Sequence, residues 1–256
     1  MIEVRHLSKK FELSARQQKE LQAAERAVFA VQDVSFTCQP GRIFSLLGAN
    51  GAGKTTTLRM IATLIQPSAG QIRVAGYDVA QQPEQVRRRI GFLTGATNLY
   101  DRLTPLEAVR YFADLHGMPA AAFKARQEAL FTQLRIHDFA HKQIGQLSTG
   151  MKQRVSIART MIHDPAVVIF DEPTSGLDVI SADSIIGLIQ DCKQAGKTVI
   201  FSSHIMSEVD LLCDELAIIH QGRLIYASDM DTFRLTAGSQ SLTAAFIQLV
   251  QTPLAA

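Results

Sequence analysis

One glycine-rich run constrains this chain more than any other segment: Gly48-Ala49-Asn50-Gly51-Ala52-Gly53-Lys54-Thr55, which fits the pattern G-x-x-x-x-G-K-[ST]. The apolar stretch Ile43–Leu47 leads into it, and Thr55-Thr56-Thr57-Leu58-Arg59-Met60-Ile61 behind it reads as a helix. Glycines let the backbone curl so that successive N–H groups face one point without Cβ collisions. The start of the following helix adds its partial positive charge at that point. Such a strand, loop and helix cradle the phosphates of a nucleotide. Gly48, Ala49, Asn50, Gly51, Ala52, Gly53, Lys54, Thr55 and Thr56 are therefore the candidate binding residues. The Lys54 ammonium reaches the outer phosphates, and the Thr55 hydroxyl suits Mg2+.

A second apolar run, Val167-Val168-Ile169-Phe170, ends in Asp171 and Glu172. Neighbours on a strand point to opposite faces, so the two acids are expected to have separate tasks. Asp171 joins Thr55 as the candidate for Mg2+. Glu172 is the candidate general base that orients or deprotonates an attacking water.

The rest of the chain supports a layered α/β fold. Val199–Phe201 and Leu216–Ile219 read as further buried strands. Helical patterns lie at Lys54–Ile65, Leu106–Leu115, Ala122–Arg135, Met151–Ile162, Ala182–Gln194 and Met206–Cys213. This alternation predicts a largely parallel sheet. Ile2–Arg5 and Val31–Thr37 alternate like half-exposed antiparallel strands, and the Gln/Glu/Ala/Arg-rich stretch Glu12–Val28 between them reads as a solvated insertion, such as a helical hairpin. Gly95–Leu147 is mainly helical and reads as an inserted subdomain.

Composition excludes several functions. The 256 residues carry a net charge of +2 with scattered basic residues, which is a poor nucleic-acid footprint. Cys38, Cys192 and Cys213 are far apart, without metal-ligand spacing, and read as reduced thiols. The start of the chain does not read as a signal peptide, and no apolar run approaches the roughly 20 residues of a membrane-spanning helix. If the protein drives transport, something else forms the pore.

Further motifs bring in a family. Leu147-Ser148-Thr149-Gly150-Met151-Lys152-Gln153-Arg154 resembles the LSGGQ signature of ATP-binding-cassette ATPases. Pro173-Thr174-Ser175-Gly176-Leu177-Asp178 resembles the D-loop of that family, and Thr198–Ser203 followed by His204 resembles its switch-histidine strand. The order matches from Met1 to about Leu224. The resemblance implies a P-loop NTPase core with a mixed, largely parallel sheet, an N-terminal antiparallel β subdomain and an inserted helical subdomain. It divides one domain, 1–256, into a β subdomain plus core (1–94 and 155–225), a helical signature subdomain (95–154) and a short tail (226–256).

The same resemblance implies ATP hydrolysis by a head-to-tail dimer of two copies, or of one copy with a related ATPase. Ser148 and Gly150 then reach the ATP held by the other subunit, and Asp178 aligns the two sites. His204 and Lys54 join Glu172 as catalytic residues, and Phe11, with Phe29 as rival, stacks on adenine. Integral membrane permease subunits are the implied partners, at the cytoplasmic face of the membrane, with no nucleic acid. Phe92-Leu93-Thr94-Gly95, Leu99–Pro105 and the Leu-Ser-Thr-Gly-Met at 147–151 resemble the NatA-like branch of sodium-extrusion and drug-resistance exporters. Thr149 and Met151 depart from the usual signature. The family's Q-loop glutamine belongs near Gly95, where none stands; a water or Asn98 is the candidate for its task. A soluble member acting on ribosomes or nucleic acid is the alternative. The interval Thr55–Leu147 has no coiled-coil heptads and the chain has one cassette, both of which weigh against it.

Overall fold

The computed structural model describes residues 1–13, 27–94 and 99–252. Its elements run β1 (Ile2–Glu12), β2 (Ala27–Cys38), β3 (Ile43–Leu47), α1 (Lys54–Ile61), β4 (Ala69–Val74), β5 (Tyr77–Asp78), α2 (Pro83–Arg87), β6 (Ile90–Thr94), α3 (Pro105–Leu115), α4 (Ala120–Gln133), α5 (Thr149–Met161), β7 (Val167–Asp171), α6 (Val179–Gln194), β8 (Thr198–Ser203), α7 (Met206–Leu212), β9 (Glu215–His220), β10 (Arg223–Asp229), α8 (Met230–Ala237) and α9 (Leu242–Gln251).

The strands form two sheets. One has the order β2-β1-β4-β5 and the other β10-β9-β3-β8-β7-β6. In the larger sheet every pair is parallel except the β10–β9 hairpin. Every residue of β3, β7 and β8 is buried, as continuous apolar strands require when both faces are covered. Their side chains divide by the period of two. Val168 and Phe170 pack among Val109, Phe131 and Ile157 on the helical side. Val167 and Ile169 pack against Ile2, Val34 and Leu58 on the side of the smaller sheet.

Predicted elements and observed ones differ mostly at their ends. The antiparallel β1–β2 pair runs on to Glu12 and Ala27, so the supposed insertion is shorter than Glu12–Val28. Its remainder, and with it the helical hairpin, lies outside the described residues. Helix α1 stops at Ile61, because Thr63 takes a left-handed backbone (φ 62°). Helix α3 begins at Pro105, where Thr104 and Glu107 form a reciprocal capping box. Helix α5 runs through the expected boundary at 154/155, and β10 runs through that at 225/226.

A stacked histidine pair joins the end of α3 to the sheet, with His116 exposed and His163 partly buried. The rings of His116 and His163 stack 3.7 Å apart at 4°. His163 Nε2 donates to the carbonyl of Ile90 at 3.0 Å, while its buried Nδ1 has no partner among the described residues. Burial, reinforced by the His116 ring, holds the His163 imidazole down to about 4. The folded state therefore keeps it neutral, and between the ordinary value of 6.5 and 4 the unfolded chain binds the extra proton. Stability is full above that window and falls as pH drops through it, by about 2–3 kcal/mol at pH ~4.5. Urea unfolding at neutral pH and at about pH 4.5 measures this. His163→Leu is expected to flatten the dependence; equal slopes for variant and wild type refute the assignment.

Candidate functional site

Strand register assembles the site. Leu47 pairs with Ser203, Ser202 with Asp171, and Asp171 with Thr94. The carboxyl ends of β3, β8, β7 and β6 thus open on one edge, where parallel α/β sheets bind ligands. The glycine-rich loop leaves β3 at that edge, clamped from two sides. A Cβ on Gly48 would lie 2.3 Å from the carbonyl oxygen of Ile219. One on Gly53, at φ +110°, would lie 2.4 Å from that of Ala30. Gly53 also caps α1 without a side-chain acceptor, so first-turn N–H groups stay available to an anion. The loop encloses a cleft of about 170 Å3 lined by Ala30, Asn50, Gly51, Ala52, Gly53, Lys54, Thr55, Thr56 and Glu172.

Polar groups converge on this cleft. Lys54 is 5% exposed. Its ammonium donates to the carbonyls of Gly48 (2.7 Å) and Ala49 (3.2 Å) and lies 3.8 Å from Glu172 Oε1. Burial pulls the Lys54 pKa down, against the opposing pull of Glu172 and Asp171. Asp171 Oδ1 accepts from the Thr55 hydroxyl at 3.1 Å and from the Ser202 hydroxyl at 2.7 Å. His204 Nδ1 stands 3.4 Å from Glu172 Oε1.

The separation of the two acids has a different cause from the one expected. Strand β7 ends at Asp171, and Glu172 already has a left-handed backbone (φ 52°). Its N–H is held by both the carbonyl (3.2 Å) and the hydroxyl (3.1 Å) of Ser202. A bent turn, and not strand alternation, aims Glu172 at Lys54 and His204. Ser202 carries no motif of its own in the sequence; its one signal is a hydroxyl near the end of an apolar strand, two positions before His204.

The signature residues gather elsewhere. Helix α5 starts at Thr149 and not at Met151, with Ser148 as its cap accepting from the Met151 N–H at 3.3 Å. A Cβ on Gly150 would lie 2.8 Å from Ser181 Oγ and 3.4 Å from Asp178 Oδ2. Asp178 caps α6, accepting from the Ser181 N–H at 2.9 Å and its hydroxyl at 2.8 Å. Those bonds hold its carboxyl below the usual range. Gln153 Nε2 donates to the Pro173 carbonyl at 3.0 Å, tying α5 to the segment after Glu172. Ser148, Gly150 and Asp178 therefore form one cluster, and none of them lines the phosphate cleft.

Phe11 and Phe29 are both exposed, at 41% and 44%. Phe11 pairs with Val28 across the β1–β2 ladder, with Lys9 over its ring at 5.1 Å. Phe29 precedes Ala30, which lines the cleft. Gly95 and Asn98 lie outside the described residues. Among the described residues no three His, Cys, Asp or Glu side chains gather as a metal cluster, and no helix is long and apolar enough to cross a membrane.

Comparison with known proteins adds to this geometry. Residues 31–175 match the family model described as ABC transporter. The chain is similar to the ABC transporter ATP-binding protein NatA of Bacillus subtilis (strain 168), at 44% identity over 90% of this chain and 94% of that protein. It is also similar to the Nod factor export ATP-binding protein I of Ralstonia nicotianae, at 37% identity over 76% of this chain and 61% of that protein's length. Among solved structures, an ATP-binding subunit of an ABC transporter superposes with a TM-score of 0.86 at 29% identity, covering 98% of this chain and 100% of that one.

Proposed function

The chain belongs to the ABC transporter family as an ATP-binding subunit, an ATPase, and from that premise we propose how its residues work and what they drive. The observation that carries the reading is the meeting of Lys54, Thr55, Asp171 and Glu172 at one glycine-curled cleft that the signature residues do not line.

The backbone N–H groups of Gly48–Gly53, with Thr56, hold the ATP phosphates, and Lys54 exchanges its loop carbonyls for phosphate oxygens. Thr55 and Asp171 offer a hydroxyl and a carboxylate, the hard oxygen donors that Mg2+ prefers beside phosphates. When bound, Mg2+ offsets the negative charge of the phosphates. Glu172 orients and deprotonates the attacking water, and His204 holds the reacting group. Glu172 takes up the proton in a position where the Lys54 charge and the His204 ring face it. Because Ser148 and Gly150 lie away from the cleft of their own chain, they serve the ATP of a second copy packed head to tail, with Asp178 at the contact. Closing on two ATP and opening after hydrolysis then moves integral membrane permease subunits at the cytoplasmic face of the membrane. Export of sodium or a drug-like cargo is the direction we assign, in keeping with the export named for the Nod factor relative.

An exposed phenylalanine at the β1–β2 edge stacks on the adenine, and Phe11 is assigned that place. Base–aromatic stacking is worth about 1–3 kcal/mol. Phe11→Ala is thus expected to raise the KM for ATP about tenfold at little cost in kcat. Steady-state kinetics of Phe11→Ala and Phe29→Ala decide between the two; an effect carried wholly by Phe29 moves the role to it.

The transport reading is tested by pulling the tagged chain from detergent-solubilised membranes of its native host and identifying what comes with it. A polytopic membrane protein in near-equal amount is the expected result. Recovery with ribosomes or DNA, or in the soluble fraction alone, leaves an ATPase without the transport role.

A further inference from the structure

One carboxylate links two segments of the site and has no part in the roles above. Glu208 sits in the first turn of α7. An acid there ordinarily turns to the free N–H groups and positive end of its own helix. Glu208 instead accepts from two hydroxyls on other segments. The Thr174 hydroxyl donates to Oε1 at 2.5 Å, and the Ser203 hydroxyl donates to Oε2 at 3.0 Å. Thr174 and Ser203 are buried, at 6% and 2% exposure, so water does not compete freely for these bonds.

Each hydroxyl belongs to a segment that carries a residue with a role assigned above, His204 in one case and Asp178 in the other. Ser203 precedes His204, and its oxygen also accepts from the Ile205 N–H at 3.0 Å. One hydroxyl thus brackets His204 from both sides, and Glu208 anchors that hydroxyl. Thr174 follows Glu172 and leads through Leu177 to Asp178, the cap of α6 that abuts Gly150. The Leu177 N–H is bonded to the Thr174 carbonyl at 3.2 Å, so a shift of Thr174 carries the segment with it. Glu208 is therefore the joint between the turn that carries His204 and the segment that carries Asp178.

We propose that Glu208 is a positioning residue that couples His204 to the Thr174–Asp178 segment, so that a γ-phosphate sensed at His204 in one copy sets the segment that meets the other copy. This rests on the head-to-tail reading given above. Hydroxyl and carboxylate bonds shielded from water are directional and reinforce one another, and a joint with two arms transmits a rotation where two separate contacts would not.

The test measures ATP turnover against ATP concentration for the purified full chain and for Glu208→Ala, Glu208→Gln, Thr174→Val and the Glu208→Ala/Thr174→Val double variant, with thermal unfolding of each. Glu208→Ala is expected to lower kcat about tenfold, with KM for ATP within twofold and the unfolding midpoint lowered by a few degrees, as two buried hydroxyls lose their acceptor. The cooperativity of turnover in ATP is lost with it. Glu208→Gln keeps most of the activity, since its amide still bridges two hydroxyls. The double variant is expected to be no slower than Glu208→Ala alone. The proposal is overturned if Glu208→Ala matches wild type in kcat, if KM rises in step with the loss, or if Glu208→Gln is as impaired as Glu208→Ala. A wild type that hydrolyses ATP without cooperativity sinks the head-to-tail reading instead, and with it the coupling between copies. The kcat comparison then still decides whether Glu208 positions His204.

Discussion

Glu172→Gln is expected to lower ATP turnover by about 10²–10⁴-fold, the usual contribution of a placed general base, while ATP still binds. The amide keeps the size of the side chain and the left-handed turn at φ 52°, so the fold around Ser202 is preserved. What it loses is the oxygen that takes the proton, at a position 3.8 Å from Lys54 and 3.4 Å from His204. Lys54 remains anchored on the carbonyls of Gly48 and Ala49, so the substitution leaves no orphaned buried cation. With ATP bound and not consumed, two copies are expected to accumulate as a dimer. Phosphate release in a single turnover, together with light scattering on a sizing column with and without ATP, measures both. Turnover within threefold of wild type would remove Glu172 from its assigned role.

Lys54→Ala is expected to act one step earlier, on binding. Hydrogen bonds to charged groups are worth about 1.5–3 kcal/mol each, and an ammonium between two phosphates makes at least a pair. The affinity for ATP should therefore fall by about 10²–10⁴-fold. Lys54→Arg is not expected to rescue it. The lysine is 5% exposed between the loop carbonyls and Glu172, and a planar five-donor fork needs more room than a point charge. Titration calorimetry with ATP gives the answer. A dissociation constant within threefold of wild type would place the phosphates elsewhere in the cleft.

Much of the core was legible because its signals are local. Ile43–Leu47 is a strand with the bounds that its apolar run predicts. The strands carrying Phe170, Phe201 and Ile219 were legible too, but each runs on into polar residues such as Asp171 or Ser203, which hydropathy cuts off and ladder bonds keep. Strands β4 and β5 escaped notice. Both belong to the smaller sheet; β5 has only two residues, and β4 buries only Ile72 and Val74. Such segments pair because a neighbour offers an edge, and their own periodicity is too weak to announce it. The tail after β10 likewise holds two helices, α8 and α9, capped by Asp229 and Ser241.

By itself the sequence determined the chemistry: a glycine loop ending in Lys54 and Thr55, an acidic pair closing an apolar run, and a signature that names the family. Those signals depend on residues a few positions apart, where the local run of the backbone sets which groups sit side by side. Tertiary structure decided which distant groups meet. It set Ser202 on Asp171, Glu208 between Thr174 and Ser203, and Gly150 against Ser181. It also turned Glu172 toward Lys54 by a left-handed residue. Such contacts follow from strand order and register in the sheet, which the balance of packing over the whole molecule selects and which no local run of residues encodes.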